Sequence, residues 1–427
     1  MRSNRTSKLG ASVSVPSRPE VVVGRDRNKS NGRFAVPRRF TTRAMALAAI
    51  FLAVSAAAFG LQATGALKAP NNDWSWALPR NFPTPRVPAR NPMSQGKVNI
   101  GHRLFYDVRL SGNQTQSCSS CHLPELAFTD GKTTSVGSTG DVLLRNAPSV
   151  ANSAYHRTFT WANPALTSLE SQMNVPLFGT GPVEMGVNDR NKGKILRRIK
   201  SDPWYRKRFP KAFRWSKKPV NWFNIVRSIS AFQRSIITGT SKYNRFLRGK
   251  AELSGSERSG LNLFMGEEGE CHHCHGSFIF DDQATYAGGP LEKLKFHNTG
   301  LYNIGGTGAY PTGNRGLYEI TGKKKDMGAF RAPSLLNVAK TAPYMHDGSV
   351  KTLMDVVDIY ARGGRNITEG PFAGDGATNP HKDPLISGIN LSEQDKKDIV
   401  AFLKTLSERD YSKDPRFWDP FKHKSRK

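Results

Sequence analysis

Little cysteine, little acid, few strand signals and a single long apolar run mark this sequence, and each shortage excludes something. Four of 427 residues are cysteine, and all four stand in two Cys-x-x-Cys-His units, at 118–122 and 271–275. None is left for a structural disulfide, so the chain is not a disulfide-built scaffold. Hydrophobic residues make up only 37%, which leaves any core lean unless a large apolar group helps to fill it. Asp and Glu number 34 against 63 Lys and Arg, for a net charge of +29. Such a surface attracts acidic partners and speeds their encounter. Nucleic acid is not the expected partner, because no nucleic-acid motif is present and the basic residues are scattered rather than gathered on one helix. An acidic protein or an anionic membrane surface fits better.

The one long apolar run is AMALAAIFLAVSAAAFGL at 44–61, preceded by Arg38, Arg39 and Arg43. A positive segment, an apolar segment and then small residues read as a signal peptide over 44–66. The run also reaches the lower limit of a membrane span, so an uncleaved N-terminal anchor stays open. Residues 1–43 carry eleven basic and two acidic residues. They are expected to be a disordered basic leader, long enough to include a misassigned start. Residues 67–92 are rich in Pro, Asn and Trp and read as an extended surface linker.

What is present is mainly helical. Ser94 can cap a helix presenting Val98, Gly101, Leu104 and Phe105 to one side. Ser254 and Glu257 form a capping-box pattern before Leu261, Phe264 and Met265. Each helix is followed by a Cys-x-x-Cys-His unit, a weak internal repeat that predicts two related helical domains, 93–250 and 251–410. A last helix starts near Ser392, with Ile399, Phe402, Leu403 and Leu406 on one face. Residues 411–427 read as a loose basic tail.

The repeated unit has a chemical reading. Two thiols three residues apart on one helical turn reach the two vinyl groups of one haem, and the next residue lies under the iron. Cys118 and Cys121 with His122, and Cys271 and Cys274 with His275, are therefore expected to hold two covalent c-type haems. Zinc is the competing ligand, but it needs its cysteine pairs close together, and these stand about 150 residues apart. Two cytochrome c-like domains, mainly α, are the expected fold. Haem is attached to the unfolded chain after export, which sets aside the twin-arginine route that Arg38-Arg39 hints at and predicts a periplasmic protein. His272 and His273, inside the second unit, are expected to be solvent-facing loop residues.

Between 90 and 410 the ordered motifs GHRLFYDVRLSGNQTQSCSSCH, RNAPSV, SLESQMNVPLFGTGPVEMG, CHHCH, FRAPSLLNV and TAPYMHDGS resemble the di-haem cytochrome c peroxidase/MauG family. The stretch PLFGTGPVEMG looks most like a MauG-related subgroup that oxidises tryptophan on a partner protein in copper-handling systems. The resemblance implies a peroxide site at the N-terminal haem and an electron-transfer haem in the C-terminal domain. It implies that Gln172, Pro176 and Glu184 line the peroxide side, although the loop from Gln172 to Glu184 is two residues longer than usual. A carboxylate there can move a proton between peroxide oxygens. No His lies between His122 and His156, so the first iron is expected to stay open without prior reduction, with His156 structural.

Tyr360 shares a helical stripe with Leu353, Val356 and Val357, with Thr352 as N-cap and Gly363-Gly364 as the stop. Classical members place a Met at the matching position, whereas MauG-like members resemble this chain in having Tyr. A phenolate on the second iron stabilises its oxidised form. A buried core Tyr is the plain alternative, and Met345 and Met354 are the other candidate ligands. The resemblance further implies an inter-haem Trp at Trp161, a haem-propionate partner at Arg331, and one Ca²⁺ between the domains held by Asn146, Thr341 and Pro343. Three functions are open: a MauG-like enzyme that stores two oxidising equivalents from hydrogen peroxide and oxidises a partner protein, a classical peroxidase fed by a small cytochrome or cupredoxin, and a non-catalytic electron carrier.

Overall fold

Ser94 begins the first helix among the described residues. It is extended, and its hydroxyl accepts from the Lys97 N–H at 3.3 Å, opening α1, Gln95–Phe105. In this computed structural model, residues 73–291, 293–408 and 411–422 are described. The basic leader, the signal or anchor segment, the start of the linker and the last tail residues lie outside them. Eleven further helices follow: α2 Leu169–Gln172, α3 Asn174–Phe178, α4 Lys192–Ser201, α5 Pro203–Ala212, α6 Trp222–Ser235, α7 Lys242–Phe246, α8 Gly255–Met265, α9 His272–His275, α10 Tyr318–Thr321, α11 Leu353–Arg362 and α12 Glu393–Thr405. Strand is confined, among the described residues, to isolated bridges and one antiparallel pair, β1 Asn366–Ile367 with β2 Gly374–Asp375. The chain is mainly helical, as its capped apolar patterns predict.

The internal repeat is physical. Helix α1 packs along α6, and α8 packs along α12, as the two dominant helix pairs. In each pair a glycine sits at the crossing. A Cβ on Gly101 would overlap the Ser228 carbonyl, and one on Gly260 would overlap the Asp398 carbonyl. Both helices approach so closely because that position has no side chain. Val98, Gly101, Leu104 and Phe105 are all buried, as expected. In α8 the Ser254–Glu257 capping box forms in both directions, at 2.7 and 3.3 Å. Phe264 is 2% exposed, but Met265 is turned outward.

Two apolar cores result. One gathers α1, α4, α5 and α6, and the other gathers α8, α11 and α12. The linker residues 73–92 strap both, with Trp74 packed on the first core and Phe82 inside the second. Residues 411–422 do not form a loose tail. Tyr411 and Phe417 are buried in the first core, the Tyr106 hydroxyl donates to the Phe417 carbonyl at 2.5 Å, and the Phe417 ring meets Phe128 edge-on at 5.4 Å.

Candidate haem cavities and active site

Cys118, Cys121 and His122 open onto a cavity of about 410 Å³, within the usual range for a cofactor site of about 300–1,000 Å³. The His122 Nδ1–H donates to the Phe128 carbonyl at 2.9 Å. That bond fixes the ring and leaves Nε2 as the free lone pair, as iron ligation requires. Burial also lowers the His122 pKa and keeps the ring neutral.

The same cavity is lined by Gln172, Pro176 and Glu184. Helices α2 and α3 supply the first two, and an irregular loop supplies the third. Backbone bonds hold that loop on α3: Met185 N–H to Pro176 O at 2.9 Å and Val187 N–H to Leu177 O at 3.0 Å. Asp141 accepts from the Val183 N–H at 2.9 Å, and Ser138 N–H donates to the Glu184 carbonyl at 2.7 Å. Gly137 lies against Val183, and a Cβ there would overlap its carbonyl. The two additional loop residues therefore do not carry Glu184 away from the cavity. Its carboxyl makes no hydrogen bond among the described residues, and burial pushes its pKa up to about 7.

Cys271, Cys274 and His275 open onto a second cavity of about 240 Å³. The arrangement repeats: the His275 Nδ1–H donates to the Phe280 carbonyl at 2.9 Å, and burial lowers its pKa. Helix α11 forms as expected, capped by Thr352 with Asp355 and stopped by Gly363 at φ +78°. Leu353, Val356, Val357 and Tyr360 all line this cavity. The Tyr360 hydroxyl has no hydrogen-bond partner among the described residues, unlike an ordinary buried tyrosine. Burial, then the charges of Cys274 and Cys271, push its pKa far above the usual value, so only a bound cation would make it a phenolate. Met345 also lines the cavity, whereas Met354 packs into the second core instead.

Trp161, Asn146, His156 and Arg331 line both cavities. The Trp161 indole N–H donates to the Asn146 carbonyl, and the Arg331 N–H donates to the Trp161 carbonyl, both at 2.9 Å. Arg331 is 5% exposed and spends one guanidinium donor on the Thr158 carbonyl at 3.1 Å. Its Nε, and Nε2 of His156, are buried without partners. Unspent buried donors between two apolar cavities suit the carboxylates of a haem. Paired thiols, a neutral imidazole and a guanidinium whose Nε is unpaired thus fit haem in both places. Asn146, Thr341 and Pro343 all line the second cavity, and the Asn146 amide donates to the Lys132 carbonyl at 2.8 Å.

Three histidines stand differently from expectation or escape it. His272 is half-buried and His273 is exposed, as expected for the second of them, but both start α9 rather than standing in a loop. His297 lies between Asp282 at 2.7 Å and Asp383 at 2.5 Å, beside Cys274. Burial opposes its charge, but these hydrogen bonds outweigh burial and lift its pKa to about 11. No local pattern could reveal this, because its partners stand 15 and 86 residues away.

A family model described as di-haem cytochrome c peroxidase matches residues 95–252. The cytochrome-c peroxidase IdrP1 of Denitromonas iodatirespirans is 35% identical over 345 residues, 76% of this chain and 85% of that protein. The methylamine utilization protein MauG of Methylorubrum extorquens is 31% identical over 329 residues, 77% and 82% of the two chains. The crystal structure of a MauG-like protein associated with microbial copper homeostasis matches with a TM-score of 0.80 and 55% identity, covering 82% of this chain and 99% of that one. The diheme peroxidase BthA of Burkholderia thailandensis shares the fold, with a TM-score of 0.58 at 22% identity, covering 75% and 88%.

Proposed function

This chain belongs to the di-haem cytochrome c peroxidase family and is a peroxidase-type oxidoreductase with two haems, and from that premise we propose that it is MauG-like. In this reading it is exported to the periplasm and takes two oxidising equivalents from hydrogen peroxide. It then withdraws two electrons from a Trp or Tyr of an acidic partner protein. The relative associated with copper homeostasis supports a partner from a copper-handling system. The domain boundaries of this reading are 93–250 for the peroxide half and 251–410 for the electron-transfer half.

The observation that carries the reading is Tyr360, whose hydroxyl shares the cavity of Cys271, Cys274 and His275 without any hydrogen-bond partner among the described residues. Bound haem would supply the redox chemistry: cleavage of the O–O bond and storage of the oxidising equivalents. The chain does the rest. The thiols of each Cys pair would hold the porphyrins covalently, His122 and His275 would offer Nε2 to the irons, and Tyr360 would offer its hydroxyl oxygen to the second. In the first cavity, Gln172 would orient peroxide and Pro176 shapes the wall. Glu184 takes the proton from the inner peroxide oxygen and returns it to the outer one, which leaves as water. Arg331 would pair with haem carboxylates. Trp161, in contact with both cavities, provides an aromatic path between them. Asn146 Oδ1 with the Thr341 and Pro343 carbonyls and water would give Ca²⁺ an all-oxygen shell.

A classical peroxidase is the second reading, favoured by relatives named cytochrome-c peroxidase and by Met345 on the wall of the second cavity. Mixing fully oxidised protein with one equivalent of peroxide in a stopped-flow spectrometer separates the two. A MauG-like enzyme changes both haem spectra at once, without reductant, and the product persists. A classical enzyme responds only after half-reduction.

A further inference from the structure

A cluster outside both cavities has no place in the peroxide chemistry. Glu267 stands just beyond the end of α8, and His272 and His273 begin α9. Glu267 Oε1 lies 3.6 Å from His272 Nε2, and its Oε2 lies 3.6 Å from His273 Nε2. The ligand atoms of the three residues lie within 4.8 Å of one another, and the two imidazoles are 4.2 Å apart, centroid to centroid. Among the described residues no other group of three His, Cys, Asp or Glu side chains converges in this way.

The spacing decides between two readings. As hydrogen bonds these contacts are too long, since N–H···O bonds run at about 2.7–3.2 Å. An ion with tetrahedral bonds of about 2.0–2.1 Å holds its ligand atoms roughly 3.3 Å apart. The two 3.6 Å contacts lie nearer to that spacing than to a hydrogen bond, and one ligand atom from each of the three groups falls within 4.8 Å of the others. The backbone is shaped to bring them together. Glu270 adopts φ +50°, and Gly269 passes so close to Leu263 that a Cβ would overlap its carbonyl. The local charge agrees. Glu267, Glu268 and Glu270 place three acids in four positions of a chain whose net charge is +29. A surface ion pair by itself contributes only about 0–1 kcal/mol, too little to account for two rings gathered on one carboxylate.

We propose that Glu267, His272 and His273 bind one divalent ion of the copper–zinc end of the first transition row. Two imidazole nitrogens and one carboxylate suit copper(II) or zinc and not calcium or magnesium. The exposed side, on which Glu267 lies, is open to water as the remaining ligand. The proposal goes beyond the peroxide reaction and does not depend on it, because none of the three residues lines either cavity.

The test is titration of the purified, tag-free, chelator-treated holoprotein with copper(II) and with zinc. Calorimetry gives stoichiometry, and the copper EPR spectrum reports nitrogen ligation. One ion should bind per chain, with two-nitrogen hyperfine structure from copper. Glu267→Gln and His273→Gln should each weaken binding by at least about tenfold while the haem spectrum stays unchanged, which shows that the variants are folded. Failure to bind either ion, or binding that both substitutions leave intact, overturns the proposal.

Discussion

At the scale of single residues the proposed peroxide site turns on Glu184. Its pKa is raised by burial to about 7. A raised carboxyl is protonated below that value and ionised above it, and only the ionised form can take the peroxide proton. The rate of reaction with peroxide should therefore rise with pH through about 7 and then level off. Glu184→Gln should flatten that profile and slow the reaction by roughly 10²–10⁴-fold; a variant that keeps both rate and profile removes Glu184 from the mechanism. His297 gives a stability prediction of opposite sign. Its folded pKa of about 11 exceeds the ordinary value, so its stabilisation is complete below about 6.5 and is lost as pH climbs through 11. His297→Gln leaves Asp282, 3% exposed at its side chain, without its cation. A loss on the order of 3–5 kcal/mol is expected in denaturant unfolding at neutral pH. The grouping of each Cys-x-x-Cys-His unit, and the turning of Tyr360 toward the second cavity, are legible in sequence because each is fixed by its own neighbours: three residues of spacing, or one helical stripe. His297 is not, because a buried ionic triad is assembled by the fold.

At the scale of elements the two halves rest on the same device, a glycine that lets the first helix touch a later one, α6 in one half and α12 in the other. Gly101→Ala forces a methyl against the Ser228 carbonyl and should cost about 1–3 kcal/mol, seen as a lower Tm with the haem content unchanged. A shift of less than a degree would mean that the crossing can relax. Gly137→Ala acts on the site instead. It pushes on the Val183 carbonyl, one residue from Glu184, and should depress peroxide reactivity more than stability. Helix starts are legible because Ser94, Ser254, Thr352 and Ser392 all cap the helices that follow them. The tail is not legible. Its basic composition reads as solvated, yet Tyr411 and Phe417 find Phe128 and Tyr106, about 300 residues earlier in the chain. Met265 fails for a related reason: spacing assigns it to a face, and only the packed partner decides how wide that face is.

At the scale of the whole molecule, excess positive charge and two cavities that share Trp161 and Arg331 define how the protein would work. Charge of one sign acts over a Debye length, about 8 Å at physiological salt and about 3 Å at 1 M. Association with an acidic partner should therefore slow steeply as salt rises, while the reaction with neutral peroxide should not; equal salt dependence of both would show that charge does not guide docking. The sharing of one wall by two cavities is the part that sequence conveys least. Motifs place residues along the chain, but which of them meet between the halves depends on how Trp161 and Arg331 are brought together by a backbone bond at 2.9 Å. The most direct measurement is the EPR spectrum of the resting oxidised protein, repeated after one equivalent of peroxide. An open first iron and a Tyr360-closed second iron predict one high-spin and one low-spin ferric signal, both vanishing on peroxide without reductant. Low-spin signals alone, unchanged by peroxide, would contradict the account.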